Sequence, residues 1–326
     1  MSDKDKDKKK DKHGKKHDGH GDSGASSAPP AATPAASSLP PASSADRDLS
    51  KVRYAEFKVL LRPDKLRRIA QAYELWQHLR SAVEQAGVRY IPLAGEPSVK
   101  QRDILFYDTP DFRLYENHFI LRRRTHFLDG WTTSHDELTF KFRHPEEEKA
   151  RAIDMHLGLV KNARIKFKRE ILPLQDRVGG VRHIYTRNCV LAMPALSEGF
   201  DLDEAAEFFP ALKSISTGDH AQFSLVNRVT VSETLTEFGV FDFGKGLEGT
   251  ASLALWRDTG NSAAIVSELG WQLKFDDLDE EIERRLAPVE DFFKLLQHTI
   301  GPWLFLGTTK TNLVYRREGH EVKNSE

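Results

Sequence analysis

The stretch FILRRRTHF, residues 119–127, sets three consecutive arginines between apolar residues. Side chains alternate faces along a β-strand, so Arg122 and Arg124 share one face and Arg123 points the other way. Other segments repeat the pattern. LTFKFRH sets Thr139, Lys141 and Arg143 opposite Phe140 and Phe142, and IKFKRE sets Lys166, Lys168 and Glu170 opposite Ile165, Phe167 and Arg169. NRVTV sets Arg228, Thr230 and Ser232 opposite Val229 and Val231, and EFKV pairs Glu56 with Lys58. For one strand alone, a solvated face is the simpler reading. The set reads differently, because a solvated face mixes signs and these faces are mostly cationic. Cationic strands about 4.8 Å apart repel unless an anion lies between them. A polyanion can bridge them, and the planar fork of arginine grips phosphate bidentately.

Carboxylates on the same kind of face are few: Glu56, Glu268 in VSELGW, and the less firmly placed Asp258 and Asp242. Two or more carboxylates beside a phosphate-binding face can hold Mg²⁺ or Mn²⁺, which take oxygen ligands and share them with substrate phosphates. Each carboxylate taken singly reads as an ion-pair partner or a surface residue. Only the combination points to a metal.

The elements that must position these residues begin near Val52. VRYAEFKVLL alternates as a strand, and in the helical run that follows, Ile69, Leu75, Trp76, Leu79 and Val83 recur at spacings of three and four, with Gly87 as the stop. DILFYDT, FILRRRTHF, ELTFKFRH and ARIKFKREILP read as strands. A helix is expected over DLDEAAEFFPALKSI with Asp201 or Asp203 at its start. Further strands are expected over FSLVNRVTVSET, FGVFDFG, ASLALWRD and IVSELGWQLKF, and then a helix broken at Pro288. Long consecutive strands with few helices indicate an α+β fold, one antiparallel sheet or barrel with helices packed outside.

Residues 1–50 have a different texture. A Lys/Asp/His/Gly run gives way to an Ala/Ser/Pro run, and neither can bury enough apolar area to offset chain entropy, so a disordered tail is expected. His13, His17 and His20 in it can bind a metal loosely, but a solvated tail is the favoured reading. Residues 318–326 form a second polar tail. The whole chain of 326 residues has a formal net charge of −1, so no global field draws nucleic acid or an anionic membrane to it. The single cysteine, Cys189, excludes a disulfide framework and a multi-cysteine metal centre. No apolar run is long enough to span a membrane and no secretory leader opens the chain, so a cytoplasmic location is expected.

From about Val52 to Lys310 the chain resembles the CYTH superfamily, the triphosphate tunnel metalloenzymes. The resemblance rests on DILFYDTPDFRLYENHFILRRRTHF, with its Tyr-Asp-Thr-Pro turn and LRxR strand, and on ELTFKF, VSELGW and GTTKT in the same order. It implies an eight-stranded antiparallel barrel over residues 51–317, open at both ends, with Lys and Arg lining the tunnel for a triphosphate and Glu for a divalent metal. Members include inorganic, thiamine and RNA triphosphatases and a class of adenylyl cyclases. The resemblance assigns Glu56 and Lys58 to catalysis. It assigns Arg122, Arg124, Lys141, Arg228 and Lys310 to phosphate, and Glu56 and Glu268 to Mg²⁺ or Mn²⁺; Asp258 or Asp242 is a candidate compensating metal ligand. Two matched positions depart from the pattern: Tyr54 and Gly270 stand where carboxylates are expected. Three functions follow as expectations. The first is metal-dependent hydrolysis of inorganic triphosphate or a triphosphate-bearing metabolite. The second is a non-catalytic module for polyphosphate or nucleotide. The third is a scaffold whose tail recruits a partner.

Overall fold

The computed structural model describes residues 48–94, 98–133, 135–156, 163–193 and 199–317. The expected N-terminal tail up to residue 47, with its three histidines, and the polar segment 318–326 lie outside the described residues.

Nine strands close a barrel: β1 (Tyr54–Leu61), β3 (Ser98–Asp108), β4 (Phe119–Leu128), β6 (Asp136–His144), β7 (Arg164–Pro173), β8 (Val181–Met193), β9 (Ser224–Asp242), β10 (Glu248–Asp258) and β11 (Ala264–Lys274). Two short strands stand off the ring: β2 (Arg89–Pro92) pairs with β9, and β5 (Trp131–Thr132) pairs with β4. Around the ring the order is β10-β11-β1-β7-β8-β6-β4-β3-β9, and β9 pairs back to β10. An odd ring cannot alternate direction at every step. Among the described residues the one parallel pair is β1 with β7, in register Tyr54↔Lys168 and Glu56↔Glu170.

The expected eight-stranded, fully antiparallel barrel is thus corrected to nine strands of mixed direction. The strands read from sequence differ from the observed ones at two places, which cancel in the count. FSLVNRVTVSET and FGVFDFG are one continuous strand of 19 residues, β9. The segment VRHIYTRNCVLAM, not expected as a strand, is β8.

Two faces of the barrel wall are covered by helices. Phe57, Val59 and Leu61 of β1 and Trp271 and Leu273 of β11 point outward, under α1 (Ile69–Ala86) and α5 (Glu280–Thr299). Phe57 stacks on Trp271 with ring centres 5.1 Å apart, and Phe293 of α5 meets both edge-on. On the other side, Phe119, Phe140, Phe142 and Leu191 pack beneath α4 (Leu202–Phe208), whose Asp201 accepts the N–H of Glu204 at 2.8 Å. Short helices α2 (Arg113–Glu116) and α3 (Glu147–Ala152) fill connections. The last described helix, α6 (Lys310–Tyr315), packs on apolar residues from the inward faces, among them Ile104, Phe106, Ile120 and Trp256. No helix among the described residues is long and apolar enough to cross a membrane.

α1 ends as the sequence indicates, with Gly87 in the left-handed region at φ 64°. α5 does not break at Pro288 but runs through it for 20 residues. Proline there removes the hydrogen bond to the Arg284 carbonyl, a cost of about 3 kcal/mol. Burial of Leu286, Val289, Phe292, Phe293 and Leu296 against the barrel outweighs it, at roughly 1.5–3 kcal/mol for each side chain. Since Pro288 is exposed, Pro288→Ala is expected to stabilise the protein by about 1–3 kcal/mol, measured by urea unfolding. A loss of stability would mean that the proline ring makes a contact the helix needs.

Candidate functional site: a cationic cavity inside the barrel

The inward faces of the strands enclose a cavity of about 360 Å³. Eleven lysines and arginines line it, against five glutamates. The cations are Lys58 from β1, Arg102 from β3, Arg122 and Arg124 from β4, Lys141 and Arg143 from β6, Arg164, Lys166 and Lys168 from β7, Arg182 from β8, and Lys310 from α6. The carboxylates are Glu56, Glu137, Glu170, Glu233 and Glu268.

Alternation accounts for β4 as expected. Arg122 and Arg124 line the cavity, while Arg123 pairs on the outside with Asp136 at 2.5 Å. Arg124 reaches Glu137 at 2.8 Å. Arg122 makes no hydrogen bond or ion pair with any described residue, and its Nε is buried without a partner. Burial pushes its pKa down to about 9, with Arg124 adding to the effect and Glu137 opposing it. It therefore stays charged at neutral pH, with an unmet need for an anion.

Elsewhere cations and carboxylates interlock. Glu170, only 3% exposed, is reached by Arg143 at 2.8 Å, Lys141 at 2.9 Å and Lys58 at 3.4 Å. Glu56 lies 3.0 Å from Lys58 and 3.2 Å from Lys168. Burial alone would raise the pKa of Glu56, but Lys168 and Lys58 outweigh it and hold the carboxyl well below its usual range. Lys310 lies 2.7 Å from Glu268 and 3.5 Å from Glu233, with its ammonium 4.6 Å from the ring centre of Trp256. Glu233 also accepts from Arg102 and from the Trp256 indole.

Of the residues singled out from sequence, Glu56, Lys58, Arg122, Arg124, Lys141, Glu268 and Lys310 face this one cavity. Arg228 and Asp258 do not line it. Asn227 and Arg228 both take left-handed backbone, at φ 48° and 52°, and the register of β9 against β3 shifts there. Beyond that bulge the expected alternation holds, but the valine face, not the Arg228/Thr230/Ser232 face, points inward. Val231, paired with Ile104, and Glu233 face inward, while Arg228 is exposed. Asp258 closes β10, where it pairs with Arg317 and accepts the Gly260 N–H at 2.8 Å. Asp242 ends β9 beside Arg89 and likewise lies outside the cavity lining.

Arg102, Glu137 and Glu233 were missed as site residues. Glu137 carries the same parity as Thr139 and Lys141 and was open to the same argument. Glu233 shares the face of Val229 and Val231, which the apolar pattern marks as the outer one but which points inward.

The two expected carboxylate positions have physical occupants. The ring of Tyr54 faces Lys166 and Lys168 at 5.4 and 5.9 Å from its centre. At Gly270 a Cβ would lie 2.7 Å from the Phe57 carbonyl oxygen, so the wall has no room for a side chain there.

Among the described residues, one group offers three metal-type ligands within 4.8 Å of one another: Asp201, Asp203 and His220. It can coordinate a divalent cation. It lies at the start of α4, not in the cavity lining. Its carboxylates also pin the loop before β9, with Asp203 accepting the N–H of Gly218 at 3.0 Å and of His220 at 2.7 Å. The glutamates of the cavity make no such group.

No protein-family model matches the chain, and no curated protein matches it in sequence. Solved structures do align with it. A Hippeastrum protein, described as a candidate adenylyl cyclase with a dominant triphosphatase activity, is 13% identical. The match covers 83% of this chain and 98% of that one at a TM-score of 0.39. A candidate adenylate cyclase from Bacillus halodurans is 14% identical over 83% and 100% of the two chains, with a TM-score of 0.36. A protein from Pyrococcus horikoshii is 12% identical over 81% and 99%, with a TM-score of 0.35. Likenesses at this level carry no argument about activity, and function is argued from the cavity itself.

Lys141 gives the cavity a titration near neutrality. Burial pushes its pKa down to about 7, with Arg143 and Lys58 adding to the shift and Glu170 opposing it. An unfolded lysine keeps its proton to about pH 10.4. Between these values the unfolded chain binds more protons, so the contribution of Lys141 to stability rises with pH and its penalty is complete below about pH 7. Urea unfolding of wild type and Lys141→Met across pH 6.5–9 is expected to show wild type gaining on the variant as pH rises, by up to about 1.4 kcal/mol per pH unit. Parallel curves would place the titration of Lys141 outside this range.

Proposed function

We propose that the barrel binds the phosphate chain of inorganic triphosphate, polyphosphate or a triphosphate-bearing small molecule. The observation that carries this reading is Arg122, a cation facing the cavity with no hydrogen bond or ion pair to a carboxylate among the described residues, in a lining where described cations outnumber carboxylates eleven to five. Arg124, Lys141 and Lys310 would share the phosphate oxygens by exchanging part of their present pairing with glutamates. The fork geometry of the two arginines on one strand face suits adjacent phosphoryl groups. With a formal net charge of −1 on the chain, the attraction is confined to the cavity, which favours a small polyanion over nucleic acid.

A second reading is hydrolysis of that chain with Mg²⁺ or Mn²⁺. It is favoured by Glu56 and Glu268, which face the same cavity as the phosphate-binding cations. Glu56 and Lys58 would be its catalytic residues, and Glu56 and Glu268 its metal ligands. Asp258 is not a member of this set, because it pairs with Arg317 outside the lining.

Calorimetric titration with tripolyphosphate tests the first reading. Arg124→Ala is expected to weaken binding by about 1.5–3 kcal/mol, the worth of one hydrogen bond to a charged group. Arg123→Ala is expected to leave it unchanged. Equal effects of the two substitutions would remove the binding site from the cavity. Phosphate release from tripolyphosphate in Mg²⁺ and in Mn²⁺ tests the second reading. Glu56→Gln is expected to abolish release while binding persists. Absence of release from wild type leaves the barrel a binding module.

A further inference from the structure

The carboxylates of the cavity are already matched with cations of the protein itself. The ammonium of Lys58 is central. It lies 3.0 Å from Glu56 and 3.4 Å from Glu170, and Glu268 adds to the field around it. Only 19% of this side chain is exposed. Burial works against the ammonium charge, yet the three carboxylates hold its proton more tightly than usual. Lys168 holds Glu56 from the other side, Lys141 and Arg143 hold Glu170, and Lys310 holds Glu268.

A divalent ion needs several oxygens at about 2.0–2.6 Å. Three cavity carboxylates do not come within reach of one such centre among the described residues. Rotating Glu268 away from Lys310 would leave that ammonium beside Glu233 alone. The wall cannot supply a further carboxylate at Gly270, where even a Cβ meets the Phe57 carbonyl oxygen at 2.7 Å. At Tyr54 a ring faces two lysines, and it attracts cationic groups without offering a carboxylate.

We propose that this cavity holds its phosphate chain without a divalent ion, and that the Lys58 ammonium occupies the position between Glu56 and Glu170 that a metal would otherwise take. Lys58 is then a positioning residue. It keeps Glu56 and the buried Glu170 in place and leaves Arg122 of β4 to the ligand. The ligand in this statement rests on the phosphate-binding reading. The cation between Glu56 and Glu170 does not.

The experiment has two arms, both on the full chain carrying Asp203→Asn, which removes a ligand from the Asp201/Asp203/His220 group. In the first, tripolyphosphate is titrated into the protein in excess EDTA and again in millimolar Mg²⁺ or Mn²⁺. Affinity in EDTA is expected to equal or exceed that with metal, which competes for the free ligand. Binding that strengthens by about tenfold or more with metal overturns the proposal. No binding under either condition overturns the phosphate reading instead, and the second arm then decides this one.

In the second arm, Mn²⁺ binding is followed by electron paramagnetic resonance without phosphate. Lys58→Ala and the milder Lys58→Gln are each expected to gain one Mn²⁺ site over the Asp203→Asn parent, tighter by about tenfold or more. Adding Glu170→Gln is expected to remove the gain. A parent that already binds Mn²⁺ in a manner lost with Glu56→Gln overturns the proposal. So does the absence of any gain in a Lys58 variant that folds, as judged by circular dichroism. If neither variant folds, the parent alone decides: Mn²⁺ binding that depends on Glu56 overturns the proposal, and no such binding supports it.

Discussion

Three cations converge on one carboxylate, Glu170, at 2.8–3.4 Å, and the Thr186 hydroxyl donates to it at 3.1 Å. These contacts join β1, β6, β7 and β8 across the interior of the barrel. A ring of inward lysines and arginines would otherwise repel itself. Removing one partner from such a buried set costs about 3–5 kcal/mol, because an uncompensated charge is left behind. The set also sorts the cations by role. Lys58, Lys141 and Arg143 are committed to Glu170, whereas Arg122 is committed to nothing described. Charge left over after internal neutralisation is what a ligand can use, and among the described residues it includes Arg122 on β4 and Lys166 on β7, which meets only the Tyr54 ring.

The C-terminal segment completes the same balance from outside the ring of strands. Lys310 reaches Glu268 and Glu233 from the first turn of α6, whose start is capped by Thr309 accepting the Asn312 N–H at 3.2 Å. Tyr315, at the other end of this helix, stacks on Tyr115 with ring centres 4.0 Å apart and donates its hydroxyl to Asp108 at 2.9 Å. Asp108 also accepts the backbone N–H groups of Thr109, Leu114 and Tyr115 at 2.8–3.0 Å. Burial nevertheless raises its pKa to about 7. The turn between β3 and β4 and the helix that delivers Lys310 are thereby tied to one carboxylate. Lys310 is placed by packing and hydrogen bonds made elsewhere on its helix.

Alternation made much of the site legible. It placed Arg122, Arg124, Lys141, Lys168 and Glu170 on one side because those strands are regular and their outer faces are strongly apolar. At β9 the alternation held but the face did not: Val229, Val231 and Glu233 point inward, so there the polar side is the outer one. The alternation failed at β8. Arg182, His183, Arg187 and Asn188 interrupt the apolar pattern there, yet Arg187 is 5% exposed and serves backbone carbonyls of Arg151 and Ile153 at 2.8 and 2.9 Å. A buried arginine with carbonyl partners looks in sequence like a surface residue. The proline in α5 misled for the opposite reason: a local penalty was visible, and the tertiary burial that exceeds it was not. Ion-pair partners such as Lys310 and Glu233 depend on strands and helices far apart in sequence, so pairing could not be read before the topology was known.

The place of β1 in the ring has a consequence for how the molecule comes into being. Its two neighbours are β7, parallel to it, and β11, where Tyr54 meets Lys274. The first strand therefore waits for more than two hundred residues of synthesis before its second edge is covered. Until then that edge of β1 has no partner strand. Long-range pairing of this kind folds slowly and leaves edges exposed. Lysines and arginines on strands whose edges are still open would oppose edge-to-edge association with other chains. The inward charge of the finished barrel would then also serve its assembly.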